Sequence, residues 1–393
     1  MNDDNNESRR RKKANPPTKN KKKKKKGVKI FLLTLFFVLL FVVGYGAFYT
    51  LNILGKVNTT AISKSHADLG IADENKHDDK DYITNILLLG IDKRDDKDVG
   101  RSDAMMVLTV DTKHKKIKLS SIMRDSYVSI DNHGKDKLNH AYAFGGPELA
   151  IKTVNQNYGL NIAEFVLVDY DGLESIIDAL GGVNIDIKKT EFKLVNDYIH
   201  DLAVLKKVDP PYLKNSGPQT LNGIQAVAYS RIRYVGDGDY ERTERQRKVL
   251  SGIFDKFKTA DITKYPTIVN KLLPYVKTSL DTKEILTIGT DVIKSGMSNL
   301  EQERFPVDGY NDGKTINGVW YLLFNQEVTK KQMYDYIFED IKPTPGNADK
   351  PNLGNTSTKS SGSGSSKSTG TTKSSGTSNS GNTNSSGTSN KKK

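Results

Sequence analysis

The chain is 393 residues long, contains no cysteine, and carries 60 Lys and Arg against 47 Asp and Glu, a formal net charge of +13. That surplus invites a nucleic-acid reading, but thirteen basic and three acidic residues lie in 1–29, and seven basic and one acidic in 343–393. Residues 30–342 are then net −3, so no duplex-binding face is expected and nucleic acid is excluded as a partner.

The elements follow in chain order. Residues 1–29 form a basic cytoplasmic tail. The next stretch, IFLLTLFFVLLFVVGYGAFYTLNILG, is free of charge from Ile30 to Gly55, and roughly 20 apolar residues span a bilayer as a helix. A transmembrane helix is predicted over 30–51. Lysines packed just before it place the N-terminus in the cytoplasm and the rest of the chain outside. A cleaved signal peptide has an apolar core of about 7 to 15 residues and ends in small residues. This run is longer and ends in Tyr45, Phe48 and Tyr49, which favours an uncleaved anchor in the cell membrane. The lack of cysteine suits an exported protein that does not rely on disulfides.

Residues 52–81 are polar and read as a juxtamembrane spacer. Short apolar runs at 85–92, 104–112 and 116–125 predict strands. A helix is expected over 147–158, a strand over 164–169, and a helix in DGLESIIDALGG stopped by Gly181 and Gly182. VNIDI closes that unit. Helical spacing returns over 221–233 and 240–257, with Val249, Ile253 and Phe257 on one stripe. Two or three further helices are expected between 263 and 294, a strand near 304–306 and a helix around 330–337. Strands mixed with helices predict one extracellular α/β domain, 82–342, with a central mixed sheet flanked by helices. The Ser/Gly/Asn/Lys-rich 343–393 cannot bury enough apolar surface to order itself. Its lysines either touch an anionic wall or merely solubilise it.

No G-x-x-x-x-G-K-[ST], H-E-x-x-H or cysteine-based metal spacing is present, so a phosphate loop and a zinc hydrolase are unsupported. What stands out is arginine. Beyond the cytoplasmic tail it occurs at Arg94, Arg101, Arg124, Arg231, Arg233, Arg242, Arg245, Arg247 and Arg304, all but the last in two clusters, whereas lysine is spread evenly. Guanidinium binds phosphate oxygens in pairs, which an ammonium does not. Two such clusters meeting in one fold would hold a polyanion such as pyrophosphate. Asp92 ends one predicted strand and Asp103 precedes the next, so both can reach one mouth. Two carboxylates with water and phosphate oxygens are how Mg²⁺ is held, with Mn²⁺ as a substitute. In DYERTERQ, Arg242, Arg245 and Gln246 share a helical face, Asp239 reads as the cap before it, and Arg247 points away to the surface. The same mixture of charges also describes a solvated salt-bridge face, and spacing leaves both readings open. Asp125 reads as orienting a strand end, His140 as structural and Asp237 as a turn residue.

GIDKR (90–94), RSDAMMVLTVD (101–111), SIMRD (121–125), KLNHAYAFGG (137–146), ALGGVNIDI and YSRIRY…DYERTERQ together resemble the LytR-CpsA-Psr family of Gram-positive cell-wall proteins. The resemblance implies a phosphotransferase. It would move a glycopolymer, such as wall teichoic acid or capsule, from an undecaprenyl-pyrophosphate carrier to the muramic acid C6 hydroxyl of peptidoglycan. By the same resemblance Asp92 and Asp103 are metal ligands, and Asp92, Asp103, Arg94, Arg101 and Arg231 form the catalytic set. Arg101, Arg124, Arg231, Arg233, Arg245 and Gln246 contact the pyrophosphate, supported by Asp239 and Arg242. Met123 and Ala104 stand where the family often has Pro and Thr, and neither change removes a charge. The family's apolar pocket for the prenyl chain would be lined by 173–180 and 262–293, stretches that are equally good as ordinary core. A pyrophosphatase and a non-catalytic envelope regulator are the alternatives.

Overall fold

A computed structural model describes residues 58–93, 98–233, 235–236, 238–259, 271–295, 297, 300–348 and 350–354. The expected anchor, the basic tail and most of the C-terminal extension lie outside these residues. Among the described residues no helix is long and apolar enough to cross a membrane.

The strands are β1 (Asn58–Thr59), β2 (Ile83–Asp92), β3 (Arg101–Asp111), β4 (Lys116–Ile122), β5 (Tyr127–Ile130), β6 (Gly134–Lys137), β7 (Glu164–Asp169), β8 (Val183–Ile187), β9 (Gly217–Leu221), β10 (Lys277–Thr278), β11 (Leu300–Phe305), β12 (Asn311–Ile316) and β13 (Val319–Phe324). The helices are α1 (His140–Tyr158), α2 (Tyr170–Ala179), α3 (Lys189–Lys206), α4 (Gly223–Arg231), α5 (Asp239–Thr259), α6 (Thr282–Ser295) and α7 (Gln326–Phe338). Seven strands form a mixed sheet in the order β1-β10-β7-β2-β3-β4-β11. β2 is parallel to β7 and antiparallel to β3, and β4 is antiparallel to β3 and parallel to β11. Hairpins β5–β6, β8–β9 and β12–β13 stand apart.

Strand alternation explains the three layers. Ile86 and Leu88 of β2 enter one core with α2, α3, α4, α5 and α6, while Leu87, Leu89 and Ile91 enter the other with α1 and α7. A strand buried on both faces reads as a continuous apolar run, which is why ILLLGI predicts it well. Asp169 caps α2 by accepting from Gly172 N at 2.8 Å, and Asn222 with Gln225 forms the capping box of α4.

Several expectations change. Helix α1 begins at His140 and kinks at Gly145 and Gly146, so Pro147 lies inside it rather than at its start. Helix α3 and hairpins β5–β6 and β12–β13 were not expected. The segment read as a spacer is packed: Leu69 and Ile71 are buried, and Asn155 Nδ2 donates to Leu69 O at 2.8 Å. Two apolar residues in a polar stretch were enough to dock it. Residues 343–354 also bond back, with Gly346 N donating to Asp308 O at 2.8 Å.

Candidate functional site

The site forms where β2 ends, β3 begins and β4 leaves the sheet. Gly90 pairs with Ala104 and Ile91 with Ser102, so the register slips and Asp103 has no partner on β2. Such a bulge re-aims the extra residue's side chain. Asp103 therefore sits inside a strand that starts at Arg101, not before one that starts at Ala104. Its carboxylate, 6% exposed, receives Arg124 Nη1 on one oxygen and Arg233 Nη2 at 2.9 Å on the other. Gly100 itself lies against Asp92, since a Cβ there would lie 2.6 Å from Asp92 O at a φ of +75°.

Arg124 is the hub. It also donates through Nε to Asp125 Oδ2 at 3.1 Å and pairs through Nη2 with Asp239 Oδ2 at 3.4 Å. Burial pulls its pKa down, but Asp103, Asp125 and Asp239 outweigh that and raise it, so it stays charged. Lys137 Nζ donates to Asp125 at 2.7 Å. Arg231, the last residue of α4, holds Nη2 3.9 Å from Asp92 Oδ2 and its guanidinium 4.9 Å from the Tyr170 ring centre. Burial and the charges of Asp103 and Asp92 push the Tyr170 phenol up to about 12.

Asp125 and Asp239 share a hydrogen bond and titrate apart. Burial works to raise Asp125, but the bond with Asp239 and the charges of Arg124 and Lys137 hold it well below the usual carboxylate range. For Asp239, burial and the bond with Asp125 win over Arg242 and Arg124, and its pKa is raised. Arg242 is 2% exposed; its Nη1 lies 3.3 Å from Asp239 Oδ1 as an ion pair without hydrogen-bond geometry, and its Nε has no hydrogen-bond partner. Burial and neighbouring Arg124 lower its pKa. A buried guanidinium with open donors is a place for an anion's oxygens.

A polar cavity of about 670 Å³ opens beside these groups, with Asp92, Arg101, Asp103, Arg124, Asp125, Lys137, His140 and Arg233 on its walls. A second, apolar cavity of about 80 Å³ lies between the sheet and helices α2 and α5. Gly90 and Ala104 line it from the sheet, and Leu173, Ile176, Val249, Leu250 and Ile253 from the two helices. A Cβ at Gly90 would approach Ala104 Cβ to 2.9 Å, so two small residues are required at that crossing. Gln246 lines this cavity and donates to Asp103 O at 3.4 Å.

The structure thus brings together Asp92, Asp103, Arg101, Arg124, Arg231, Arg233, Asp239, Arg242 and Gln246. Arg245 is not with them. Its Nε donates to buried Glu191 at 2.8 Å, its Nη2 pairs with Glu241, and it also reaches the carbonyls of Ile232 and Val235. Arg247 is not surface: its Nη1 is buried without a hydrogen-bond partner, and burial with nearby Arg304 lowers its pKa. Arg94 and Asp237 lie outside the described residues. The 173–180 stretch does supply Leu173 and Ile176 to the apolar cavity, whereas none of the described residues of 262–293 lines it; α5 does instead. His140, read from sequence as structural, bonds Asp136 at 2.8 Å through Nδ1 and also lines the polar cavity. Asp125 and Lys137 were missed as site members, although each lies beside a residue or motif that sequence reading singled out.

Asp92 and Asp103 offer only oxygen donors to one cavity, a set that fits Mg²⁺. Among the described residues no group of three or more His, Cys, Asp or Glu is arranged to hold a metal ion. A metal here would take its remaining ligands from water and from the anion itself.

Comparison with known proteins identifies similar chains. A family model described as the LytR_cpsA_psr family matches residues 51–336. Polyisoprenyl-teichoic acid--peptidoglycan teichoic acid transferase TagU of Oceanobacillus iheyensis is 33% identical over 305 residues, 74% of this chain and 87% of that protein. Regulatory protein MsrR of Staphylococcus aureus is 32% identical over 285 residues, 71% of this chain and 82% of that one. Among solved structures, YwtF (TagT) with bound octaprenyl pyrophosphate lipid superposes with a TM-score of 0.51 at 27% identity, over 70% of this chain and 99% of that chain.

Proposed function

The chain belongs to the LytR_cpsA_psr family, and from that premise we propose that it is a membrane-anchored transferase of Gram-positive bacteria. It moves an anionic glycopolymer from a polyprenyl-pyrophosphate carrier to a hydroxyl of peptidoglycan. The carrier is undecaprenyl pyrophosphate and the acceptor the muramic acid C6 hydroxyl. One observation carries the reading: neighbouring residues of β2 and β3 border two cavities, Asp92 and Asp103 an arginine-walled polar one, Gly90 and Ala104 an apolar one. That pair of environments fits a molecule with a pyrophosphate head and a hydrocarbon tail. The tail's solvent-free path is narrow, so the prenyl chain must part α2 from α5 on entry.

In the reaction, Arg124, Arg233, Arg101 and the open donors of Arg242 bind the pyrophosphate oxygens, while Arg231 orients the group beside Asp92. The acceptor hydroxyl oxygen attacks the phosphorus that bears the glycan. The bond from that phosphorus to the bridging oxygen breaks, and lipid monophosphate leaves. A carboxylate of the cavity or the departing phosphate takes the hydroxyl proton. Fixed guanidinium groups aimed at developing charge lower such a barrier. Asp92 and Asp103 would hold Mg²⁺, which neutralises pyrophosphate charge when bound.

Full-length protein is to be incubated with lipid-linked polymer and glycan oligomers, with Mg²⁺ present and then chelated. Arg231→Ala and Asp103→Ala should each abolish transfer; undiminished transfer in both overturns the site. Release of polymer to water despite a glycan acceptor would make the protein a pyrophosphatase. Absence of turnover by the native protein with every donor would favour the regulatory role that the name of MsrR carries.

A further inference from the structure

The sheet shows where the described chain enters the domain. β1 is parallel to β10, β10 antiparallel to β7, and β7 parallel to β2. β1 therefore runs opposite to β2, and through Lys277 and Leu167 Asn58 stands level with Leu89, three residues short of Asp92. Seven residue steps separate 51 from 58, a reach of at most about 25 Å. An anchor at 30–51 would thus end within that reach of Asn58, on the half of the sheet nearer the site.

Helix α2 begins on that same half, directly after β7. Exposed apolar side chains flank its first turn on both sides. On one side Lys206, at the end of α3, pairs with Asp171 at 2.5 Å and Glu174 at 3.2 Å. This brings Val204 and Leu205, 63% and 74% exposed, beside α2. Val208 follows, its N donating to Ala203 O at 3.0 Å, and Tyr212 hydrogen-bonds His200 at 2.7 Å with the rings stacked. On the other side Tyr275 packs so close that a Cβ on Gly172 would lie 2.9 Å from its carbonyl, while its side chain is exposed. Ten large apolar side chains are exposed among the described residues, and these five lie in the two segments that touch the first turn of α2 through Lys206 and Tyr275. Exposed Lys207, Lys214, Lys271 and Lys277 lie in the same segments. Helix α2 itself lines the apolar cavity through Tyr170, Leu173 and Ile176.

We propose that the rim formed by Val204, Leu205, Val208, Tyr212 and Tyr275 is a membrane-docking surface. It enters the headgroup–acyl boundary of an anionic bilayer and presses the mouth of the apolar cavity against it. Contiguous apolar groups with neighbouring lysines bind such interfaces to a depth of about 5–10 Å, and tyrosine is favoured at that level. A hydrocarbon chain then passes from bilayer to cavity without crossing water. Only this last consequence rests on the lipid-linked donor; the docking itself does not.

The test uses the full-length chain in vesicles of phosphatidylglycerol and phosphatidylcholine whose acyl chains are brominated. Trp320, the single tryptophan, is replaced by Phe, and a reporter is introduced as Leu205→Trp. A second reporter, Lys113→Trp, sits on the exposed turn after β3, at the far end of the sheet. Quenching of the first and not the second is expected. Equal quenching of both, or none at 205, overturns the proposal, and so does protection at 205 that follows protein concentration instead of lipid. In a native background, Val204→Glu with Leu205→Glu should lower transfer from vesicle-borne donor about tenfold, since charge at this boundary is disfavoured. Transfer from a detergent-dispersed short-chain donor should be unchanged; equal loss on both donors overturns the docking role. The bromolipid result needs no catalysis, so it stands or falls separately from the proposed reaction.

Discussion

Arg242 and Arg245 leave the same helix three residues apart, are 2% and 1% exposed, and end in opposite electrostatic states. Arg245 is closed. Glu191 of α3, itself buried, takes its Nε and also accepts from Lys188 N at 3.0 Å at the start of its own helix. Arg242 is open. It has Asp239 at 3.3 Å and two nitrogens with no hydrogen-bond partner. The same residue type is thus a fold-locking group on one side of α5 and an anion-seeking one on the other. Which it becomes depends on how many carboxylates the neighbouring elements bring.

The widest test of this contrast is Glu191→Ala. It leaves Arg245 facing Glu241 alone and should cost ~3–5 kcal/mol, as breaking a buried pair does. The urea midpoint reads it, and activity per folded molecule should persist. The double variant Glu191→Leu with Arg245→Met should recover most of the loss. If Glu191→Ala is as stable as the native chain, Arg245 is not held as described.

Arg242→Met should do the reverse. Loss of a transition-state donor costs about 10²–10³-fold in rate, while the midpoint stays level or rises because an undersatisfied buried charge is gone. A lowered midpoint with full activity would erase the contrast. Val249→Trp fills the apolar cavity and should raise KM for a long-chain donor about tenfold, as overpacking costs of 1–3 kcal/mol suggest. A short-chain donor should be unaffected.

The smallest effect is in pH. Burial and the bond with Asp125 raise the Asp239 pKa, so the folded chain holds a proton that the unfolded chain releases at about 4. That contribution is complete below the unfolded value and is lost as pH rises through the raised folded value. Asp239→Asn has no such proton to lose. Its urea midpoint relative to the native chain should therefore climb with pH across that window, and a constant difference would show that Asp239 is not raised.

The helical face that groups Arg242, Arg245 and Gln246 in sequence is real but too coarse. At about 100° per residue, Arg245 lies roughly 60° to one side of Arg242 and Gln246 roughly 40° to the other. That angle separates Glu191 from Asp103 as the partner. Missing α3 hid the reason, although Val195, Ile199 and Leu202, all buried, already show the i, i+4, i+7 spacing of a helix. Hairpin β12–β13 was harder to read, since NDGKTI is mostly exposed and carries no apolar alternation.

By itself the sequence determined what is local: the apolar runs of β2 and β4, the uncharged stretch at 30–55, and the concentration of arginine in two clusters. These depend on neighbours a few residues away, and periodicity reports them directly. Tertiary structure alone decided the bulge that turns Asp103 inward, the pairing of Arg233 with a carboxylate 130 positions away, and the contact of two segments bearing exposed apolar side chains with the first turn of α2. Burial makes a charge costly unless something distant answers it, and which distant group arrives is settled by sheet order and helix docking.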